Sequence, residues 1–144
     1  MKRRTIIKIG GLVLCVLFFT LPLVQCSQDR SMNATGMEIA TGTGDLFENA
    51  DNSDWYPLTL LLLVIPGLLL GCDLIPDRKI PLPALRYISI AGLLAQIIFM
   101  TIAYNKLNES HGTLVLTPFN WFLIAIYAGM IGFIQYCIKQ GTED

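Results

Sequence analysis

Apolar residues in this chain are gathered into four long runs, separated by segments rich in charged and turn-forming residues. The runs cover residues 6–24, 55–72, 87–104 and 119–138. Each is close to the ~20 residues that an α-helix needs to cross a hydrocarbon core of about 30 Å, and none has a charge in its middle. Because the runs are continuous and lack the alternating pattern of a membrane β-barrel, they predict helices.

The pattern therefore predicts an all-α fold, a polytopic membrane protein whose four helices form a transmembrane bundle. We expect residues 1–144 to form a single membrane domain. Its connections are an acidic outer loop, a short inner loop and a second outer loop, at residues 25–54, 73–86 and 105–118. The composition agrees, because a 144-residue chain with 53% hydrophobic residues has too little polar surface to cover a soluble core.

The basic residues predict how the bundle is oriented. Eight of them lie on the side of the two termini and the inner loop, and two lie in the outer loops. The eight are Lys2, Arg3, Arg4, Lys8, Arg78, Lys79, Arg86 and Lys139, and the two are Arg30 and Lys106. Because positively charged segments stay in the cytoplasm, both termini are expected there.

The first run has two alternative interpretations. A basic start followed by an apolar stretch is also typical of a cleaved signal peptide, and Leu23 and Cys26 have the spacing of a bacterial lipoprotein processing site. The length of the apolar stretch, the lack of an A-x-A site and Gln25 before the cysteine favour an uncleaved helix. Either alternative leaves three spans in the same orientation, and the second makes Cys26 a lipid anchor.

The first outer loop is strongly acidic. It carries six aspartate and glutamate residues against a single basic residue, Arg30. Carboxylate oxygens can hold Ca²⁺, but the acidic residues lack the spacing of a calcium-binding loop. A solvated loop is the favoured interpretation, and no cofactor is expected.

Polar side chains are rare inside the spans. No ionisable residue lies in their middle, so no catalytic or cofactor-binding residue is predicted there. The deepest polar side chain is Gln96, at the centre of the third run. It could line a pore, but a hydrogen bond to a neighbouring helix is the favoured interpretation.

Small residues spaced four apart predict faces where helices approach one another closely. Such pairs occur in the second, third and fourth runs. Together with the central glutamine they make up the predicted helix-contact positions, which are Gly67, Gly71, Ala91, Ala95, Gln96, Ala125, Ala128, Gly129 and Gly132.

The four cysteines and the single histidine are not expected to act together. Cys26 is predicted on the outer side without a partner cysteine there, while Cys72 and Cys137 lie at inner helix ends in a reducing compartment. No internal disulfide is therefore expected. His111 stands in the second outer loop, so no metal site of the usual histidine and cysteine type is expected.

The segment that follows the first run resembles a known pattern. Cys26-Ser27, followed by Thr35-Gly36-Met37-Glu38-Ile39-Ala40-Thr41-Gly42, is similar to a pattern in small, uncharacterised bacterial multi-pass membrane proteins. The resemblance covers the beginning of the chain as far as Gly42. It implies a location in the bacterial inner membrane and carries no assigned activity.

These features predict a non-enzymatic integral membrane protein that serves as an accessory or assembly subunit of a larger complex. Its expected partners are the lipid bilayer and other membrane subunits or copies of itself, and no nucleic acid. The main alternative is a small oligomeric channel or transporter. A membrane-bound enzyme is less favoured because groups with tuned pKa values are missing from the spans.

Overall fold

The computed structural model describes residues 3–27, 33–43, 59–71, 80–109 and 114–140. The described chain is 80% helical. Its helices are α1 (Arg3–Thr20), α2 (Gly36–Thr41), α3 (Leu61–Leu70), α4 (Leu82–Glu109) and α5 (Phe119–Lys139). Its strands are β1 (Pro22–Cys26), β2 (Asn33–Thr35) and β3 (Leu114–Leu116).

The four longer helices pack side by side in a ring. α1 contacts α3, α3 contacts α4, α4 contacts α5, and α5 returns to α1. Their inward sides share one hydrophobic core, which includes Phe18 of α1, Leu69 of α3, Leu85 of α4 and Ile134 of α5. The burial of these apolar side chains holds the ring together.

A small antiparallel sheet covers one end of the ring. β1 is its central strand and pairs with β2 on one side and β3 on the other. Leu23 and Val24 of β1 are buried in the same core as the helices. Because β1 follows α1 and β3 lies between α4 and α5, the sheet ties three helix ends together.

The first helix is shorter than the predicted span at residues 6–24. It ends at Thr20 because Pro22 lacks an N–H and disfavours helical backbone at Leu21. Residues 22–26 form β1 instead. The expectation of a purely helical fold is therefore wrong at this end, where the chain builds a sheet.

The other helices follow the predicted spans to different extents. α5 lies within one residue of residues 119–138, and α4 extends beyond residues 87–104 at both ends. α3 is shorter than residues 55–72, and a turn of 3₁₀-helix at residues 59–60 precedes it. Residues 55–58 and 72 lie outside the described part of the chain.

In the described segments two helices are long and apolar enough to cross a membrane, Leu82–Asn105 and Phe119–Lys139. Within the chain, 28% of each apolar window is buried. A core helix of a soluble protein would be mostly buried. These two helices instead leave most of their apolar residues at least partly exposed, which is weak evidence for a membrane protein.

Candidate functional site

A network of buried polar side chains joins α4, α5 and β1. Gln96 of α4 and Asn120 of α5 are 1% and 0% exposed. The Gln96 Nε2 donates a hydrogen bond of 3.0 Å to the Asn120 Oδ1. This is the kind of helix-to-helix hydrogen bond that the sequence analysis favoured for Gln96, and its partner is Asn120.

Asn120 also holds the junction between α1 and β1. Its Nδ2 donates to the backbone oxygen of Leu23 at 2.8 Å and to that of Thr117 at 3.1 Å. The Thr117 side chain donates to the Pro22 oxygen, and the Thr117 N–H donates to the Leu23 oxygen at 3.0 Å. The network therefore supplies hydrogen-bond donors to backbone oxygens at the junction where α1 ends and β1 begins.

Sequence reasoning identified Gln96 but missed Asn120 and Thr117. Thr117 lies just before the fourth apolar run and Asn120 is its second residue, at a position where polar residues normally mark a membrane border. The proline between them, Pro118, indicates a helix start and says nothing about burial. Asn120 is buried because β1 folds back against the first turn of α5, and no local pattern shows that contact.

The segment that carries the resemblance contains a short capped helix. Thr35 is the N-cap of α2, and its side chain accepts a hydrogen bond from the Glu38 N–H. The Glu38 carboxylate in turn accepts one from the Thr35 N–H at 2.7 Å, which completes a capping box. Gly42 ends the helix in a left-handed conformation with φ 64°, which favours glycine. Helix capping thus accounts for the Thr-Gly-x-Glu spacing and for the closing glycine.

This capped helix and its preceding strand dock onto the end of α1. Ala34 and Ile39 are 1% and 0% exposed. A Cβ at Gly36 would lie 2.5 Å from two ring carbons of Phe18, so a side chain at this position would displace the ring. The resemblance segment therefore packs against the hydrophobic core through Gly36 and Ile39.

Three of the predicted helix-contact glycines face open space. Among the described residues, no atom would lie within 4 Å of a Cβ at Gly67, Gly129 or Gly132. In the described part of the chain no helix therefore approaches these three glycines closely. Contact with another chain through them stays a prediction.

Among the remaining small residues, Ala95 is partly buried and packs against the hydrophobic core. Ala125 and Ala128 are exposed on α5. Gly71 ends α3 and donates its N–H to the Gly67 oxygen at 2.9 Å. Ala91 and Ala95 line an open apolar cleft between α3 and α4, with a volume of about 320 Å³.

Other glycines provide the close contacts between helices. A Cβ at Gly11 would lie 2.9 Å from the Leu70 nitrogen and 3.0 Å from the Pro66 oxygen, so α1 lies directly against the backbone of α3. A Cβ at Gly92 would overlap the Tyr127 ring. Neither glycine has a small partner four residues away, and the spacing rule therefore missed both.

The candidate reactive residues are dispersed. Cys26 ends β1 and is partly buried, and Cys15 and Cys137 are free thiols as well. Cys72, His111 and most of the acidic outer loop lie outside the described residues. Among the residues described, no group of three or more histidine, cysteine, aspartate or glutamate side chains could hold a metal ion.

The network is suited to holding the fold together. Its members are two amides, a hydroxyl and backbone oxygens, and its long-range bonds join segments that are 24 to 97 residues apart in the sequence. No protein-family model, curated protein or solved structure matches this chain. The contacts of the chain itself are therefore the basis for an inference about function.

Proposed function

We propose that this chain is a multi-pass protein of the bacterial inner membrane, with four membrane-embedded helices and both termini in the cytoplasm. It acts as a non-enzymatic accessory or assembly subunit of a larger membrane complex. The observation that carries the proposal is that all four longer helices present large apolar side chains outwards. Examples are Ile9, Leu12, Val16, Val64, Leu68, Leu94, Ile98, Phe122 and Trp121.

Lipid is the solvent that suits such a surface. Val64 of α3, Ile98 of α4 and Phe122 of α5 are each more than half exposed, and soluble monomers rarely show apolar faces on every helix. The basic residues Arg4 and Lys8 stand at the start of α1, where a cytoplasmic membrane border would place them. These features support membrane embedding of α1 and α3 beside the two longer helices.

The polar side chains within the ring of helices favour the subunit role over the channel or transporter alternative. The Gln96 amide is engaged with Asn120 and is 1% exposed, so this amide contributes to helix packing. The surfaces around Gly67 and Gly129 stay open. Small residues on an exposed membrane helix allow a second helix to approach closely, which suits a binding partner.

Retention of the first helix is part of the proposal. Processing before Cys26 would remove α1 and most of β1, the central strand of the sheet. Phe18, Leu23 and Val24 would leave the hydrophobic core with them. A chain without these residues would expose the core and lose the Pro22 and Leu23 oxygens, which accept hydrogen bonds from Thr117 and Asn120.

Purification in mild detergent tests the proposal. The wild-type chain should retain a larger membrane protein in stoichiometric amount, and Gly129→Leu or Gly67→Leu should weaken that association. The control Val64→Leu enlarges a side chain that is already exposed and should leave the association unchanged. A homo-oligomer without another protein would contradict the subunit role and favour the channel or transporter alternative.

A further inference from the structure

A clamped arginine lies near the start of α4. The Arg86 Nη1 donates to the Gln135 Oε1 of α5 at 2.6 Å, and its Nη2 donates to the Tyr87 hydroxyl at 3.4 Å. The guanidinium carbon lies 5.0 Å from the centre of the Tyr87 ring. The Nε is buried, and it has no hydrogen-bond partner in the described part of the chain. Two helices thus hold the guanidinium plane in a defined orientation.

Both described hydrogen-bond partners of Arg86 are uncharged. The Gln135 amide and the Tyr87 hydroxyl are neutral groups that orient a guanidinium without neutralising it. In the described residues no carboxylate contacts Arg86. Lys139 lies one turn beyond Gln135 on the same face of α5 and is exposed. Arg86 and Lys139 thus place two positive charges at this end of the two helices.

Exposed tyrosines place the clamp at the depth of lipid headgroups. Tyr87 follows Arg86 and is 62% exposed, and Tyr136 follows Gln135 and is 58% exposed. Tyrosine is enriched in membrane proteins where the hydrocarbon core meets the headgroups. The whole predicted cytoplasmic side carries eight basic against four acidic residues, which also suits an anionic membrane surface.

We propose that Arg86, held by Gln135 and Tyr87, binds the phosphate of an anionic phospholipid on the cytoplasmic side of the membrane. The inference rests on the membrane orientation proposed above. A guanidinium has five N–H donors and binds phosphate oxygens through paired hydrogen bonds, and two of the Arg86 nitrogens orient the group while retaining further donors. Lys139 adds attraction for a headgroup with a net negative charge.

Native mass spectrometry of lipid-bound protein tests the site. The full chain is reconstituted into vesicles of equal amounts of phosphatidylglycerol and phosphatidylcholine, extracted in mild detergent, and measured for the ratio of the two bound lipids. The wild-type chain should retain phosphatidylglycerol preferentially, and Arg86→Gln should lower the ratio about tenfold, as expected for losing a charge-assisted hydrogen bond. Lys106→Gln removes the same charge near the other end of α4 and should leave the ratio unchanged.

A second variant keeps the test decisive if Arg86→Gln does not fold. Gln135→Leu retains the charge but releases the guanidinium, so the ratio should fall about threefold, the effect of one hydrogen bond between membrane helices. A wild-type ratio in both variants, or an equal loss in Lys106→Gln, would overturn the proposal. Displacement of phosphatidylglycerol by inorganic phosphate would show a free-phosphate site instead.

Vesicle flotation separates this inference from the proposed function. Protein that does not float with the vesicles contradicts the membrane location itself. Protein that floats but retains both lipids equally contradicts the phospholipid site alone.

Discussion

The side-chain amides of Gln96 and Asn120 are hydrogen bonded to each other at 3.0 Å, and both are buried. The bond links the middle of α4 to the first turn of α5. Through the Asn120 Nδ2 and the Leu23 oxygen it continues to β1. One amide pair therefore connects two helices with the sheet that covers their end.

Removal of this pair should destabilise the chain. Gln96→Leu should lower the free energy of unfolding by about 1 kcal/mol, because the Asn120 Oδ1 loses its donor. Asn120→Leu should cost about 2 kcal/mol, because it also removes donors from two backbone oxygens. Unfolding in mixed detergent, followed by circular dichroism, measures both. Thr101→Val is the control, since the Thr101 hydroxyl is exposed and bonds within its own helix.

Flux measurements distinguish packing from conduction at the same residue. Gln96→Leu in reconstituted vesicles should leave ion flux at the wild-type level. A changed flux with unchanged stability would contradict the packing role and support the channel alternative.

The glycines should divide into two classes when replaced by alanine. Gly92→Ala should lower the free energy of unfolding by about 2 kcal/mol, because the methyl group would overlap the Tyr127 ring. Gly11→Ala should be at least as damaging, since its neighbours are backbone atoms of α3. The methyl group of Gly67→Ala would lie in open space, so this substitution should leave the free energy of unfolding unchanged or raise it by up to about 1 kcal/mol. Equal effects at Gly92 and Gly67 in detergent unfolding would contradict the helix orientations.

The capping box should determine the local stability of α2. Thr35→Ala should destabilise the short helix by about 1 kcal/mol, which corresponds to roughly fivefold faster amide exchange in α2. Glu38→Gln is the matched control, because glutamine also completes a capping box. Hydrogen exchange of the α2 amides in detergent measures the difference. Unchanged exchange in Thr35→Ala would show that packing on Phe18 alone holds the helix.

The proposed orientation predicts the location of two reporters. A reporter that is active only in the cytoplasm should give a signal when fused after Asp144 and none when inserted near Asn49, because basic residues are concentrated on the side of the termini. The opposite pattern would reverse the topology. A signal at both sites would mean that an even number of spans, not the predicted three, separates Asn49 from Asp144.

Intact-mass measurement of the purified chain tests retention of α1. We expect a mass that includes residues 1–25, because α1 and β1 supply part of the core. A mass that lacks these residues and carries added acyl chains would identify Cys26 as a lipid anchor. Loss of the same residues without acyl chains would indicate a simple signal peptide.

The apolar runs by themselves predicted α4 and α5. A continuous apolar stretch of this length has few ways to satisfy its backbone hydrogen bonds other than a helix, so α5 lies within one residue of its predicted bounds. The end of α1 could also have been predicted from the local sequence, because Pro22 disfavours helix at the residue before it. The central position of β1 in the sheet was not predictable in this way, because one of its two partners, β3, lies about ninety residues along the chain.

Tertiary structure alone decided which side of each helix faces inwards. On a helix that is apolar all round, hydrophobic periodicity does not distinguish a core face from a lipid face. Residue spacing therefore marked Gly129, which faces outwards, and missed Gly92, which packs on Tyr127. Asn120 was missed for the same reason, since its burial depends on β1 lying against α5. The rotation of a helix about its axis is set by the fit of all its side chains to its neighbours, and that fit exists only in the folded chain.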